Sequence, residues 1–170
     1  MSYPLPRSAR DWQSRMLKFV DEHLIPWEVE AEMNDGVIPQ DAFDAIFAAT
    51  REMGLYFPSI PKDGGGAELS KLEIAVIQEA VGRTTNGMWG CYSDLSPFLY
   101  HTANDHQKER YVEPMLRDGT RVCYAITELG AGSDVDAIEA TAVKDGNGYV
   151  LNGVKLHVTG ANLSDWIVFQ

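Results

Sequence analysis

Near residue 119 the spacing of apolar residues changes, and one type of secondary structure cannot satisfy both sides of that point. Upstream, apolar side chains recur every three or four residues. Trp12, Met16, Phe19, Val20 and Leu24 fall on one face of a helix over residues 11–25. Pro26 need not stop it at once, but the turn signal Asn34-Asp35-Gly36 does soon after. A second helix is predicted over 40–53, with Phe43, Ile46, Phe47 and Met53 as its apolar stripe. Pro39 suits its first turn and Gly54 the position past its end. Residues 56–69 carry Pro58, Pro61 and Gly64-Gly65-Gly66 and read as a loop, with the glycines as a flexible turn. Ser70 stands three residues before Glu73, a capping-box spacing that opens a third helix through about residue 81. A fourth helix is expected over 88–102, kinked at Pro97. A fifth over 105–117 is stopped by Asp118-Gly119.

Downstream, the apolar runs shorten to strand length. Residues 122–126 form one, and 139–144 and 149–151 flank Asp145-Gly146-Asn147-Gly148, a strong hairpin signal. Asn152-Gly153 is a second tight turn leading into 154–159, and residues 166–169 begin another strand. The order predicts an α+β fold, an all-helical N-terminal bundle followed by the start of an antiparallel β-domain. The expected domains are 1–119 and 120–170, the second truncated, since the chain stops inside an apolar strand at Gln170.

Charge and cysteine usage narrow the function. With 25 acidic against 14 basic residues the net charge is −11, and no basic stripe exists to meet nucleic-acid phosphates. Cys91 and Cys123 stand far apart, which suggests neither a disulfide framework nor a metal site. No apolar run reaches the roughly 18 residues of a membrane span, and residues 1–10 lack a signal core. A cytoplasmic protein without a membrane partner is expected. His101 and His106 are five apart, off the spacing of a helical metal pair, and read as surface residues.

The densest chemical signal is Tyr124-Ala-Ile126-Thr127-Glu128-Leu129-Gly130-Ala131-Gly132-Ser133-Asp134. It is a strand ending in threonine, then a loop of small residues. Glycines let a backbone approach a ligand closely, and successive N–H groups in such a loop can hold an anion. From these letters alone the segment is either a ligand-holding loop or a polar turn. It is neither a dinucleotide fingerprint nor a P-loop, because the required glycine spacing is absent.

The string T-E-x-G-A-G-S-D, preceded by C-Y-A-I, resembles the flavin-binding signature of acyl-CoA dehydrogenases. Asn152-Gly153-Val154-Lys155-Leu156-His157-Val158-Thr159 is similar to that family's second signature, N-G-x-K-x-W-I-T. Gln107-Lys108-Glu109-Arg110-Tyr111, with Pro114, Leu116 and Gly119, resembles the Q-K-x-x-Y-L-P-x-L-x-x-G helix, and residues 61–66 resemble a P-x-x-Y-G-G segment. The likeness covers nearly the whole chain in the family's order. It implies FAD as cofactor, with Tyr124, Ile126 and Thr127 lining the flavin and Gly132 and Ser133 meeting the pyrophosphate. Ser133 would also touch acyl-CoA, His157 and Val158 would lie beside the ring, and Thr159 would hydrogen-bond flavin N5.

The implied reaction is α,β-dehydrogenation of an acyl-CoA thioester, with electrons passed to electron-transfer flavoprotein or another acceptor by a homo-oligomer. In the family the carboxylate base belongs to a C-terminal domain. No catalytic residue is therefore assigned here, and the chain alone is expected to be inactive. Leu129, His157 and Gly160 depart from the family's usual proline, tryptophan and asparagine. His157 brings a titratable ring to the flavin, read as packing before catalysis. Acyl-CoA oxidase or flavin monooxygenase chemistry is the alternative on the same fold, and a non-catalytic helical module the alternative of another class. Glu128 and Asp134 read as capping and turn residues. Trp89, Tyr92, Phe98 and Tyr100 read as core aromatics.

Overall fold

The computed structural model describes residues 4–85, 91, 97–118 and 121–170. The chain divides into two compact units, Met1–Lys108 and Glu109–Gln170. The first unit is helical. Helix α1 (Arg7–Phe19) runs on through a π-helical turn, Val20–Leu24, and a 3-10 turn, Ile25–Trp27, into α2 (Glu28–Met33). Pro26 lies in the 3-10 turn and cannot donate a helical hydrogen bond, which accounts for the change in winding. The chain then turns at Asp35 and Gly36, both at positive φ, where the sequence signals a stop.

Helix α3 (Gln40–Glu52) ends as its glycine predicts. Gly54 takes φ 75, and the amides of Gly54 and Leu55 return to the carbonyls of Arg51 and Thr50, a Schellman closure. Its buried face differs from the expected stripe. Ala42, Ile46 and Thr50 are buried, whereas Phe43 and Phe47 are half-buried and lie 4.5 Å apart, centroid to centroid.

The glycine-rich loop is also more ordered than expected. Amides of Gly64, Gly65, Gly66, Ala67, Glu68 and Leu69 all donate to carbonyls between Phe57 and Lys62. It is a built turn, not a flexible one. Helix α4 (Lys71–Val81) opens with the expected capping box, in which Ser70 and Glu73 satisfy each other's amide. Met16, Phe19, Val20 and Leu24 pack with Ile46, Leu55, Ile77, Ala80 and Val81 to form the core.

Of the fourth expected helix, α5 (Pro97–Thr102) is described. Residues 86–90 and 92–96, with Trp89 and Tyr92, lie outside the described residues, as do Gly119 and Thr120. Phe98 is exposed, contrary to its expected core role. The fifth helix is α6 (Asp105–Gln107), a π turn over Lys108–Val112, then α7 (Glu113–Asp118). Asn104 and Gln107 form a second capping box that the sequence reading did not use.

In the second unit, β1 (Val122–Ala125) pairs in parallel with β4 (Trp166–Phe169). Strands β2 (Thr141–Asp145) and β3 (Gly148–Asn152) form the expected antiparallel hairpin, with Gly146 at φ 56 as the first of its two loop residues. The class is α+β, and the parallel pair adds to the antiparallel start. Residues 154–159 join no ladder among the described residues, so the strand expected there is absent. No helix among the described residues is long and apolar enough to cross a membrane.

Candidate functional site

The two signature segments meet. Beyond β1 the chain leaves the sheet, and the Thr127 carbonyl accepts the Leu156 amide at 2.8 Å. One residue earlier, the Ile126 carbonyl accepts Lys155 Nζ at 3.0 Å. One residue later, Glu128 Oε1 accepts the same ammonium at 2.7 Å. Three consecutive residues of the first segment are therefore tied to two of the second.

The glycine loop closes locally. Glu128 and Ala131 exchange backbone hydrogen bonds of 3.0 and 3.3 Å, and Ala131 is buried beneath them. Asp134 accepts the Asp136 amide at 3.2 Å and so caps the 3-10 turn Val135–Ala137, the capping role expected of it. Among the described residues, Gly130 and Gly132 stand in open space, where an added Cβ would meet no atom within 4 Å. Neither sits at positive φ. Packing among the described residues thus gives no reason for either glycine.

The expected site residues fall as follows. Tyr124, on β1, is 50% exposed, and its hydroxyl pairs with Gln170 Oε1. Ile126 and Thr127 are half-buried, and Gly132 and Ser133 are exposed on the loop. His157 is exposed at φ 52, a left-handed conformation that histidine tolerates better than most residues. Val158 is half-buried, its carbonyl accepting the Ala161 amide at 3.2 Å, and Thr159 is exposed. Among the described residues, the hydroxyls of Thr127, Ser133 and Thr159 make no hydrogen bond. The geometry brings Ile126 and Thr127 beside the segment bearing His157, Val158 and Thr159. No hydrogen bond among the described residues ties Gly132 or Ser133 to that segment.

Two residues matter more than the sequence reading allowed. Glu128 was expected to cap a turn. Instead it forms an ion pair with Lys155, their side chains 9% and 4% exposed, and also accepts the amides of Glu139 and Ala140. The hydrogen bond from Lys155, then that from the Glu139 amide, hold its carboxyl below the ordinary 4.5. Lys155 enters the sequence analysis only as the lysine of the second signature, with no role attached. A lone lysine two residues past a glycine turn normally reads as solvated, and only its fixed place in that signature could have flagged it.

Gly153 explains how that segment is brought in. It sits at φ 152, and a Cβ there would lie 2.7 Å from the Ala140 Cβ. The chain passes so close to the start of β2 that only glycine fits.

Comparison with known proteins gives the family. The family model described as acyl-CoA dehydrogenase, N-terminal domain, matches residues 7–119, and that of the middle domain matches residues 123–169. A probable medium-chain specific acyl-CoA dehydrogenase 2 of Caenorhabditis briggsae, described as mitochondrial, is 30% identical over 170 residues. That alignment covers 98% of this chain and 40% of the relative. The crystal structure of an acyl-CoA dehydrogenase from Geobacillus kaustophilus superposes with TM-score 0.76 at 26% identity, covering 99% of this chain and 44% of that one. An FAD complex of PigA is alike in fold, with TM-score 0.80 at 23% identity, covering 99% of this chain and 44% of that one. The chain belongs to the acyl-CoA dehydrogenase family. It spans less than half the length of these relatives.

Proposed function

We propose that residues 124–133 and 157–159 hold FAD, and that the chain is part of an enzyme that removes hydrogen from the Cα–Cβ bond of an acyl-CoA thioester. The observation that carries this reading is the junction of the two signature segments through the Leu156 amide and Thr127 carbonyl, 2.8 Å apart. The donor set fits the ligand. The unpaired hydroxyls of Thr127, Ser133 and Thr159 suit a flavin edge and a diphosphate. Gly130 and Gly132 leave backbone open to an anion, which nothing among the described residues requires.

In this reading each residue positions and none performs the proton transfer. Thr127 and Thr159 orient the ring edge, Tyr124 and Ile126 lie against it, and His157 and Val158 flank it. Gly132 and Ser133 take the diphosphate, and Ser133 also reaches the acyl-CoA. The bound flavin supplies the hydride acceptor, as a cofactor carries the redox chemistry and the protein its orientation. The base that takes the α-proton is assigned to no residue of this chain. Electrons leave to electron-transfer flavoprotein or another acceptor, in a homo-oligomer of the cytoplasm. The domain division proposed is 1–119 and 120–170, which differs from the boundary between the two compact units at Lys108 and Glu109.

An FAD titration followed by flavin fluorescence and visible circular dichroism tests the site. Weak but saturable binding is expected, reduced by Thr127→Val and Thr159→Val. Absence of any saturable change sinks the reading. With acyl-CoA and a dye acceptor the 170-residue chain is expected to show no turnover. Measurable turnover would put the base within it.

A further inference from the structure

Residues 154–159 carry His157, Val158 and Thr159 of the proposed site yet belong to no strand ladder among the described residues. Their backbone is held by the Leu156 amide on Thr127 and by the Val158 carbonyl, which accepts from its own turn at Ala161. His157, in the middle, sits at φ 52. A left-handed non-glycine residue persists only where its surroundings hold it. The side chain of Lys155 is the additional tie.

That tie reaches several parts of the unit. Lys155 Nζ donates to Glu128 Oε1 at 2.7 Å and to the Ile126 carbonyl at 3.0 Å, and lies 5.3 Å over the Phe169 ring of β4. The other carboxylate oxygen of Glu128 accepts the Glu139 amide at 2.8 Å, and Oε1 also takes the Ala140 amide at 3.0 Å. One carboxylate thus joins its own loop to residues 11, 12 and 27 positions further along the chain. Both side chains are almost wholly covered, and the carboxylate accepts three hydrogen bonds while the ammonium donates two. Desolvation offsets much of the attraction within such a pair. Its main consequence is therefore register, not net stability.

We infer that Glu128 and Lys155 are positioning residues: a half-buried clamp that fixes the spacing of the 155–159 segment from Thr127 and so presents both to a single ligand. The identity of that ligand rests on the proposed FAD site. The clamp itself can be judged without it.

Amide hydrogen exchange on the full chain, comparing wild type with Lys155→Met and Lys155→Arg, tests the clamp. In Lys155→Met the amides of Glu139, Ala140 and Leu156 should exchange about tenfold faster or more, because only local opening changes. The Trp166 amide, which bonds the Arg121 carbonyl at the far end of the parallel pair, should keep its protection. Lys155→Arg should restore most of the loss. Unchanged exchange at the three amides overturns the inference, as does a fall at Trp166 in step with them. That second pattern marks an ordinary stabilising pair. If Lys155→Met does not fold, Glu128→Gln supplies the same comparison.

An FAD titration of the same proteins separates the two claims. A wild type that binds no FAD but shows the local exchange pattern refutes the ligand and leaves the clamp. A wild type that binds FAD, with Lys155→Met binding it equally well, refutes the clamp and leaves the ligand.

Discussion

At the scale of single residues, the glycines of the loop over residues 56–69 have different jobs despite standing side by side. An added Cβ on Gly66 would lie 2.1 Å from the Ile60 carbonyl oxygen, a backbone atom that cannot swing away. Gly65 has φ 81 and open space around it, so a side chain there meets conformational strain alone. An added Cβ on Gly64 would lie 2.6 Å from the Tyr100 ring, and a ring can turn aside. Gly66→Ala is therefore expected to lower stability by about 3 kcal/mol through overpacking, against about 1–2 kcal/mol for Gly65→Ala. Urea unfolding measures both. Equal costs at the two positions would mean that the Ile60 backbone yields. Gly64-Gly65-Gly66 reads as a flexible turn from its letters because sequence shows permitted conformations, not which neighbour will crowd each one.

At the scale of elements, caps were legible and faces were less so. Ser70 and Glu73 lie close in the chain, and their mutual hydrogen bonds depend on local geometry only. Ser70→Ala is expected to cost about 1 kcal/mol, seen as a shift in the urea midpoint. In α3 the expected stripe holds at Ile46, but beside it the core buries Ala42 and Thr50 while Phe43 and Phe47 are half-buried. Hydrophobic periodicity favours large side chains, whereas closest approach between elements favours small ones. Ile46→Ala should accordingly cost about 2–5 kcal/mol, well above Phe47→Leu. The opposite order would restore the aromatic stripe as the buried face.

At the scale of the whole molecule, the acid limb of stability should report the local carboxylates. Glu128 and Glu73 both have carboxyls held below 4.5, by Lys155 and by Ser70 respectively. A carboxyl depressed in the folded state binds fewer protons there than in the unfolded chain. Its contribution is complete above the unfolded value and disappears as pH falls through the folded one. Stability should therefore decline below about pH 4.5, and Glu128→Gln or Glu73→Gln should flatten that decline. Urea midpoints from pH 7 to pH 3 check the slope. An unchanged slope in both variants would remove these groups from the acid response.

What could be read from the chain was whatever depends on near neighbours. The helix stripe at Met16, Phe19, Val20 and Leu24, the Ser70 cap, the Gly54 stop and the Gly146 hairpin all follow from spacing and backbone preference. So did the α+β order, because the apolar period itself changes. The family resemblance put both site strings on one flavin, but the contacts that join them were not in the letters. That Leu156 meets Thr127, that β1 pairs in parallel with β4, and that Lys155 is buried on Glu128 are contacts between residues tens of positions apart. Such contacts exist only once the chain has closed on itself. A charged side chain written between a glycine turn and an apolar residue carries no mark of burial until the partner that neutralises it is brought within 3 Å.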